Sequence, residues 1–216
     1  MKLYFVRHGQ SFGNVDGKYD QSLAGALTEL GERQAAELVA RLAPFSFDAI
    51  LVSPLDRTVR TILPYLKHAG RTAEAWPELI ECRGRKDVDD PAPPELRYGA
   101  PVALPEGAEP PVRLRGKDPA ATRMPPGGEN YAEGCRRARL AAERILDLWA
   151  GTDATVLLVG HACNGARVLE SLLGIEQDGR FQHNNTGMTF IEQKQNGDFI
   201  VRFLNRIPDA SIAEPA

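Results

Sequence analysis

Cysteine is scarce in this chain: Cys82, Cys135 and Cys163 are the only three among 216 residues. An odd number without metal-like spacing argues against a disulfide framework and against a thiolate metal centre, and reduced thiols point to a cytoplasmic protein. A basic excess is lacking as well. The 26 Lys and Arg against 29 Asp and Glu leave a formal charge of −3, which argues against nucleic-acid and membrane-surface partners. No apolar run approaches the roughly 18 residues of a membrane span. The chain enters a strand-like segment at once, without a cationic leader and a long apolar region. No internal repeat is visible. What is present is ordinary globular composition, 43% hydrophobic and 25% charged, in a chain long enough for one well-filled domain. Any anion it binds must be held by a local cluster of positive groups.

Periodicity divides the chain into alternating elements. Lys2 to Val6 reads as a buried strand and Gly9 to Ala26 as a polar, glycine-rich loop. In LTELGERQAAELVARLA, Thr28 is a good N-cap, Glu29 and Glu32 favour a helix start, and Leu30, Ala35, Leu38, Val39 and Leu42 share a face. Ala49 to Val52 is a second strand, apolar throughout as for a strand covered on both sides. Ser53 then reads as the cap of a helix with Pro54 in its first turn, and Pro64 is expected to kink or shorten that helix. TAEAWPELIE reads as a third, weaker strand at the sheet edge. From about 87 to 126 the composition shifts: ten of the sixteen prolines lie there, and the segment reads as a long irregular insertion. A helix follows from GGENYAEGC, then the most apolar strand, ATVLLV, then the helix NGARVLESLLG. TGMTFIEQ and DFIVRFLN read as a final pair around Asn196–Gly197. Strands alternating with helices predict an α/β sandwich of three layers with a mostly parallel central sheet. It is read as a single domain over 1–208, with residues 209–216 a frayed tail.

In such sheets ligands bind outside the carboxyl ends of the strands, and three strands here end on charge. The sequences KLYFV-RHG, AILVS-PLDRT and TVLLV-GHA put Arg7, His8, Arg57 and His161 directly after apolar runs. If those strands are parallel neighbours, two guanidinium groups and two imidazoles meet in one crevice. Arginine presents a planar, permanently charged fork suited to phosphate. A neutral histidine in the same place can attack phosphorus, and the arginines can stabilise the charge on a transferring phosphoryl group. No Walker-type loop and no paired acidic metal ligands accompany these residues, so no metal and no cofactor are expected. Glu81, ending the third strand segment, is the best general acid. A carboxyl beside a bound phosphate dianion holds its proton more tightly, because like charges disfavour ionisation, and an alkoxide leaves poorly without a proton. Taken singly, each residue also fits a bland surface or core role, and Glu78 competes with Glu81. Their recurrence at successive strand ends is what makes them a site. His68 reads as a surface residue at a helix end, and His183 is left undecided.

These motifs resemble the histidine phosphatase superfamily, which includes the cofactor-dependent phosphoglycerate mutases. FVRHGQSFGN, ALTELGERQA, SPLDRTVRT, ELIE, PGGENYAEGCRRA and LLVGHACNGARVL match its motifs in order, over nearly the whole chain. The resemblance implies a phosphoglycerate mutase-like fold, with His8 as the nucleophile that becomes phosphohistidine. It implies that Arg7, Arg57 and His161 hold the phosphoryl group, that Glu81 is the proton donor, and that Asn14 adds a hydrogen bond. Ser11 of the same loop and the backbone N–H of Ala162 join the phosphate- and substrate-binding set. Two departures stand out: Gly84 follows Glu81 by three residues where four is usual, and the usual glutamate–serine pair is Glu129–Asn130. The mutase-like tyrosine and paired glycines are missing from ECRGRKDVDD, which favours a phosphomonoester hydrolase acting on a small phosphorylated metabolite. A mutase-type phosphotransferase stays open, because Arg97, Arg113, Arg115, Lys117 and Arg123 could add anion binding from a substrate lid. So does a catalytically silent protein that binds phosphorylated ligands. A homodimer is compatible with the sequence, which leaves oligomeric state and natural substrate open.

Overall fold

Alternate side chains of a strand point to opposite faces, and in the first strand both faces are apolar. In β1 (Lys2–Arg7), Tyr4 and Val6 enter one core while Leu3 and Phe5 enter another. The computed structural model describes residues 1–16, 25–82, 99–116, 122–124 and 129–207. Its other strands are β2 (Ala49–Val52), β3 (Ala73–Ala75), β4 (Val112–Leu114), β5 (Thr155–Gly160), β6 (Met188–Gln193) and β7 (Phe199–Arg206). They form a seven-stranded sheet among the described residues, in the order β4-β3-β2-β5-β1-β6-β7. The first five in that order pair in parallel, and β6 pairs antiparallel with both β1 and β7. The helices are α1 (Phe12–Asp16), α2 (Glu29–Leu42), α3 (Asp56–Ala69), α4 (Tyr131–Trp149) and α5 (Ala162–Leu172).

Two helical layers cover the sheet, giving the three-layer α/β sandwich. Leu38 and Leu42 of α2 and Val59, Ile62 and Leu66 of α3 pack with Ile50, Val52, Leu157 and Val159 on one face. Ala138, Ala142 and Ile145 of α4 and Val168, Leu169 and Leu172 of α5 pack with Leu51, Val156 and Leu158 on the other. Each such fully buried aliphatic side chain contributes roughly 1.5–3 kcal/mol of transfer free energy. Thr28 caps α2 through its side chain, as its sequence position predicts. At Gly165 an added Cβ would lie 2.1 Å from the Phe5 ring, so α5 rests directly on β1.

Several sequence expectations are corrected. The third strand is only Ala73–Ala75, because Pro77 starts a 3-10 turn (Pro77–Leu79) in place of a continued ladder. That strand is not the edge, since β4 pairs beyond it in parallel. β4 arises inside the segment read as irregular; three residues are too few for periodicity to reveal. Helix α3 runs through Pro64 to Ala69. Its N-cap is Leu55, not Ser53. The expected tail 209–216, with Arg97 and Lys117, lies outside the described residues. No described helix is long and apolar enough to cross a membrane.

Candidate active site

Strands β2, β5 and β1 are adjacent and parallel, so their carboxyl ends open onto one crevice. There the main chain is tied across strands. The His8 N–H donates to the Gly160 carbonyl at 3.0 Å, and the Ser53 N–H donates to the Val159 carbonyl at 3.0 Å. This brings His8, His161 and Arg57 together, with side chains almost wholly buried. The two imidazole rings lie 5.2 Å apart between centroids.

The His8 ring has a defined tautomer. Its Nδ1 lies 2.7 Å from the Gly9 carbonyl oxygen, which can only accept, so Nδ1 carries the proton. Nε2 therefore presents a lone pair, toward which Arg57 Nε–H donates at 3.3 Å. Burial first, then the charges of Arg57 and Arg7, hold His8 well below the ordinary histidine pKa of 6.5, against the raising effect of the Gly9 carbonyl. The ring is neutral at physiological pH, as a nucleophile must be. Burial and then Arg57 likewise lower His161 well below 6.5. His161 Nε2 is 2.8 Å from Ser53 Oγ, while its buried Nδ1 has no hydrogen-bond partner among the described residues.

Around this centre the loop after β1 is fixed from several sides. The Gly9 N–H donates to Thr61 Oγ1 at 2.9 Å and the Gln10 N–H to Gln34 Oε1 at 2.8 Å. A Cβ on Gly31 would lie 2.0 Å from the Gln10 carbonyl, so only glycine lets α2 approach the loop this closely. Asn185 Nδ2 donates to the His8 carbonyl at 2.9 Å and to Asn14 Oδ1 at 3.2 Å. The Thr186 N–H donates to the Arg7 carbonyl at 3.0 Å, although Thr186 holds a left-handed φ of 53°, which is costly for a β-branched residue. Arg7 Nη1 donates to the His183 carbonyl at 2.6 Å.

The other predicted residues fall as follows. Asn14 in α1 receives both the N–H and the hydroxyl of Ser11 at Oδ1, at 3.0 and 3.1 Å. Ser11 is fully buried, so its polar groups serve Asn14. Ala162 opens α5, of which His161 is the N-cap. Of the N–H groups in that first turn, those of Cys163 and Asn164 donate to the Glu81 carboxylate at 3.3 and 2.8 Å. The Gly165 N–H donates to the His161 carbonyl at 3.1 Å, leaving Ala162 N–H without a partner among the described residues. Glu81 thus stands at the same helix terminus that His161 caps. The competitor Glu78 faces elsewhere, paired with Arg115 at 3.6 Å and with Arg144. His68 is exposed near the end of α3.

Sequence reasoning missed Ser53, Thr61, Asn185 and Thr186. Ser53 precedes a proline and fits a helix cap, and the others bond to main-chain groups of the loop after β1, which carry no residue signature. His183 is placed by the structure as a support: Nε2 is 2.7 Å from Thr189 Oγ1, and the ring meets Phe5 edge-on at 4.7 Å. Burial lowers its pKa to about 4.

Comparison with known proteins follows the same lines. Residues 3–206 match the model of the histidine phosphatase superfamily (branch 1). The chain is 26% identical over 202 residues to the probable phosphoglycerate mutase GpmB of Yersinia enterocolitica, covering 91% of this chain and 86% of that one. It is 35% identical to a probable phosphatase of Schizosaccharomyces pombe over 89 residues, 41% of this chain and 43% of the relative. In fold it is similar to the alpha-ribazole phosphatase of Shigella flexneri, with TM-score 0.68, 22% identity and coverage of 95% and 96%. A phosphoserine phosphatase of Entamoeba histolytica in complex with 3-phosphoglyceric acid is similar with TM-score 0.65, 22% identity and coverage of 95% and 97%.

Proposed function

The chain belongs to the histidine phosphatase superfamily, whose chemistry runs through a phosphohistidine, and from that premise we propose that it hydrolyses small phosphomonoesters. The observation that carries this reading is the neutral, buried His8, with Nδ1–H fixed on the Gly9 carbonyl and the Nε2 lone pair under Arg57. On substrate binding Arg57 and Arg7 turn donors toward the phosphoryl oxygens. His161 Nδ1 and the Ala162 N–H complete the cradle, and Asn14 borders it. The Nε2 lone pair attacks phosphorus, and the P–O bond to the leaving group breaks as Glu81 gives that oxygen its proton. A water then attacks phosphorus, its proton passes to the Glu81 carboxylate, and the P–N bond breaks to release phosphate.

Hydrolysis is favoured over mutase transfer by the fate of one of the insertion's basic residues. A mutase must hold a bisphosphate in a closed site, yet Arg115 lies over the Trp76 ring at 4.5 Å and pairs with Glu78. The likeness to the probable phosphoglycerate mutase of Yersinia keeps transfer as the second reading. Three free thiols, two of them buried, support the cytoplasm as the site of action.

The test is phosphate release from 4-nitrophenyl phosphate between pH 5 and 8 with EDTA present, comparing the native protein with His8→Ala. The native protein turns over, and the variant loses at least about 10⁴-fold. Equal turnover by both overturns the site. No turnover by the native protein overturns hydrolysis in favour of phosphoryl transfer or ligand binding.

A further inference from the structure

The segment that carries Glu81 belongs to neither a strand nor a helix; it follows the 3-10 turn and runs between α4 and α5. Such a segment has no ladder of its own to fix it, yet proton donation demands placement to within fractions of an ångström. On the α4 side its anchor is a single side chain, Arg137. Arg137 Nη1 donates to the Glu78 carbonyl at 3.1 Å and to the Ile80 carbonyl at 2.5 Å, and Nη2 donates to the Glu81 carbonyl at 3.1 Å. On its other edge Nε and Nη2 reach the two Glu129 carboxylate oxygens at 2.7 and 2.6 Å. Five N–H donors thus meet five acceptors, the full capacity of a guanidinium. The pair is nearly buried, with side chains 12% and 7% exposed.

We propose that Arg137, oriented by Glu129, is the positioning residue that sets where the Glu81 carboxyl stands. The proposal rests on the hydrolase reading above, in which Glu81 is the acid. The opposite side of the segment is held by α5: Asn164 Nδ2 donates to the Glu78 carbonyl at 3.2 Å, while the Asn164 and Cys163 N–H groups take the carboxylate itself. The α5 contacts fix the carboxylate's far end, and Arg137 fixes the main chain from which it springs. A lysine at 137 keeps the charge opposite Glu129 but cannot reach three carbonyls and two carboxylate oxygens at once. The role therefore depends on the shape of the guanidinium, beyond its charge. Glu129 stands at the start of α4, beside the N-cap Asn130, whose own side chain and Glu133 form a capping box.

The experiment compares native protein, Glu81→Gln, Arg137→Lys and Glu129→Gln on para-substituted phenyl phosphates whose leaving groups range from nitrophenol to cresol. The readout is kcat/KM, which reports steps through departure of the leaving group. Arg137→Lys is expected to lose roughly tenfold or more on 4-methylphenyl phosphate and less than about threefold on 4-nitrophenyl phosphate, following the pattern of Glu81→Gln. Glu129→Gln moves the same way by a smaller factor. A parallel loss across the series means that Arg137 supports the fold alone and overturns the proposal, as does an unchanged series. If Glu81→Gln itself shows no dependence on leaving group, the acid assignment fails. A crystal structure of Arg137→Lys then judges the positioning claim separately: residues 78–82 displaced from α4 support it, and an unmoved segment overturns it.

Discussion

The two halves of the proposed site, a phosphoryl end and a leaving-group end, are built by different means. The phosphoryl end is made by the sheet: His8 is tied to Gly160 and Ser53 to Val159 by main-chain bonds that continue the β1, β5 and β2 ladders. The leaving-group end is made by side chains: Glu81 sits on an irregular segment clasped by Arg137 from α4 and by the first turn of α5. The first inherits its geometry from the main-chain ladders of the central sheet. The second depends on a few polar contacts, each worth about 1 kcal/mol or more. Attack geometry is therefore shielded from substitution, while proton delivery is adjustable.

The largest expected break in that contrast comes from Glu81→Gln. It removes the proposed proton donor while preserving shape, and is expected to lower kcat/KM about 10²- to 10⁴-fold for an alkyl phosphate. An activated aryl ester is affected far less; equal losses on both would refute a separate leaving-group end. Acid comes next, and it acts on the phosphoryl end. His8, His161 and His183 all have folded pKa values below 6.5, the last near 4. Below pH 6.5 the unfolded chain takes up protons that the folded chain refuses, so stability falls as pH falls. Each histidine contributes up to about 1.4 kcal/mol per pH unit until its own folded pKa is reached. Urea unfolding at pH 7, 6 and 5 measures this, and a midpoint that does not move would contradict neutral, buried rings. The smallest effect is expected from Ser53→Ala, which frees one nitrogen of His161. It should lower kcat/KM by about three- to tenfold on good and poor leaving groups alike. A selective loss on poor leaving groups would join Ser53 to the acid's side.

That contrast also explains what could be read from sequence. Residues whose side chains do chemistry at strand ends are legible, because an apolar run broken by Arg or His is visible without coordinates. The order β2-β5-β1 makes those ends neighbours, as their meeting in one crevice requires. Residues that work through carbonyls and amides are not legible: Arg137, Asn185 and Thr186 sit in unremarkable polar surroundings. Ser53 misled because serine before Pro54 fits a helix cap equally well, and the structure gives its hydroxyl to His161. The three-residue β4 pairs with β3 through main-chain bonds alone, so proline content outweighed it.

The contact between Gly165 and Phe5 has a consequence for how this site can change. A glycine inside a helix costs about 1 kcal/mol relative to alanine, and here it lets α5 settle onto the ring until an added carbon would stand 2.1 Å away. The depth of that seating sets the height of the helix mouth, where His161 sits and Glu81 docks. Phe5 works as a depth stop, and its thickness is a gauge for how far α5 stands from β1. A lineage that exchanged this pair for other shapes would retune both ends of the proposed site together, through two buried residues.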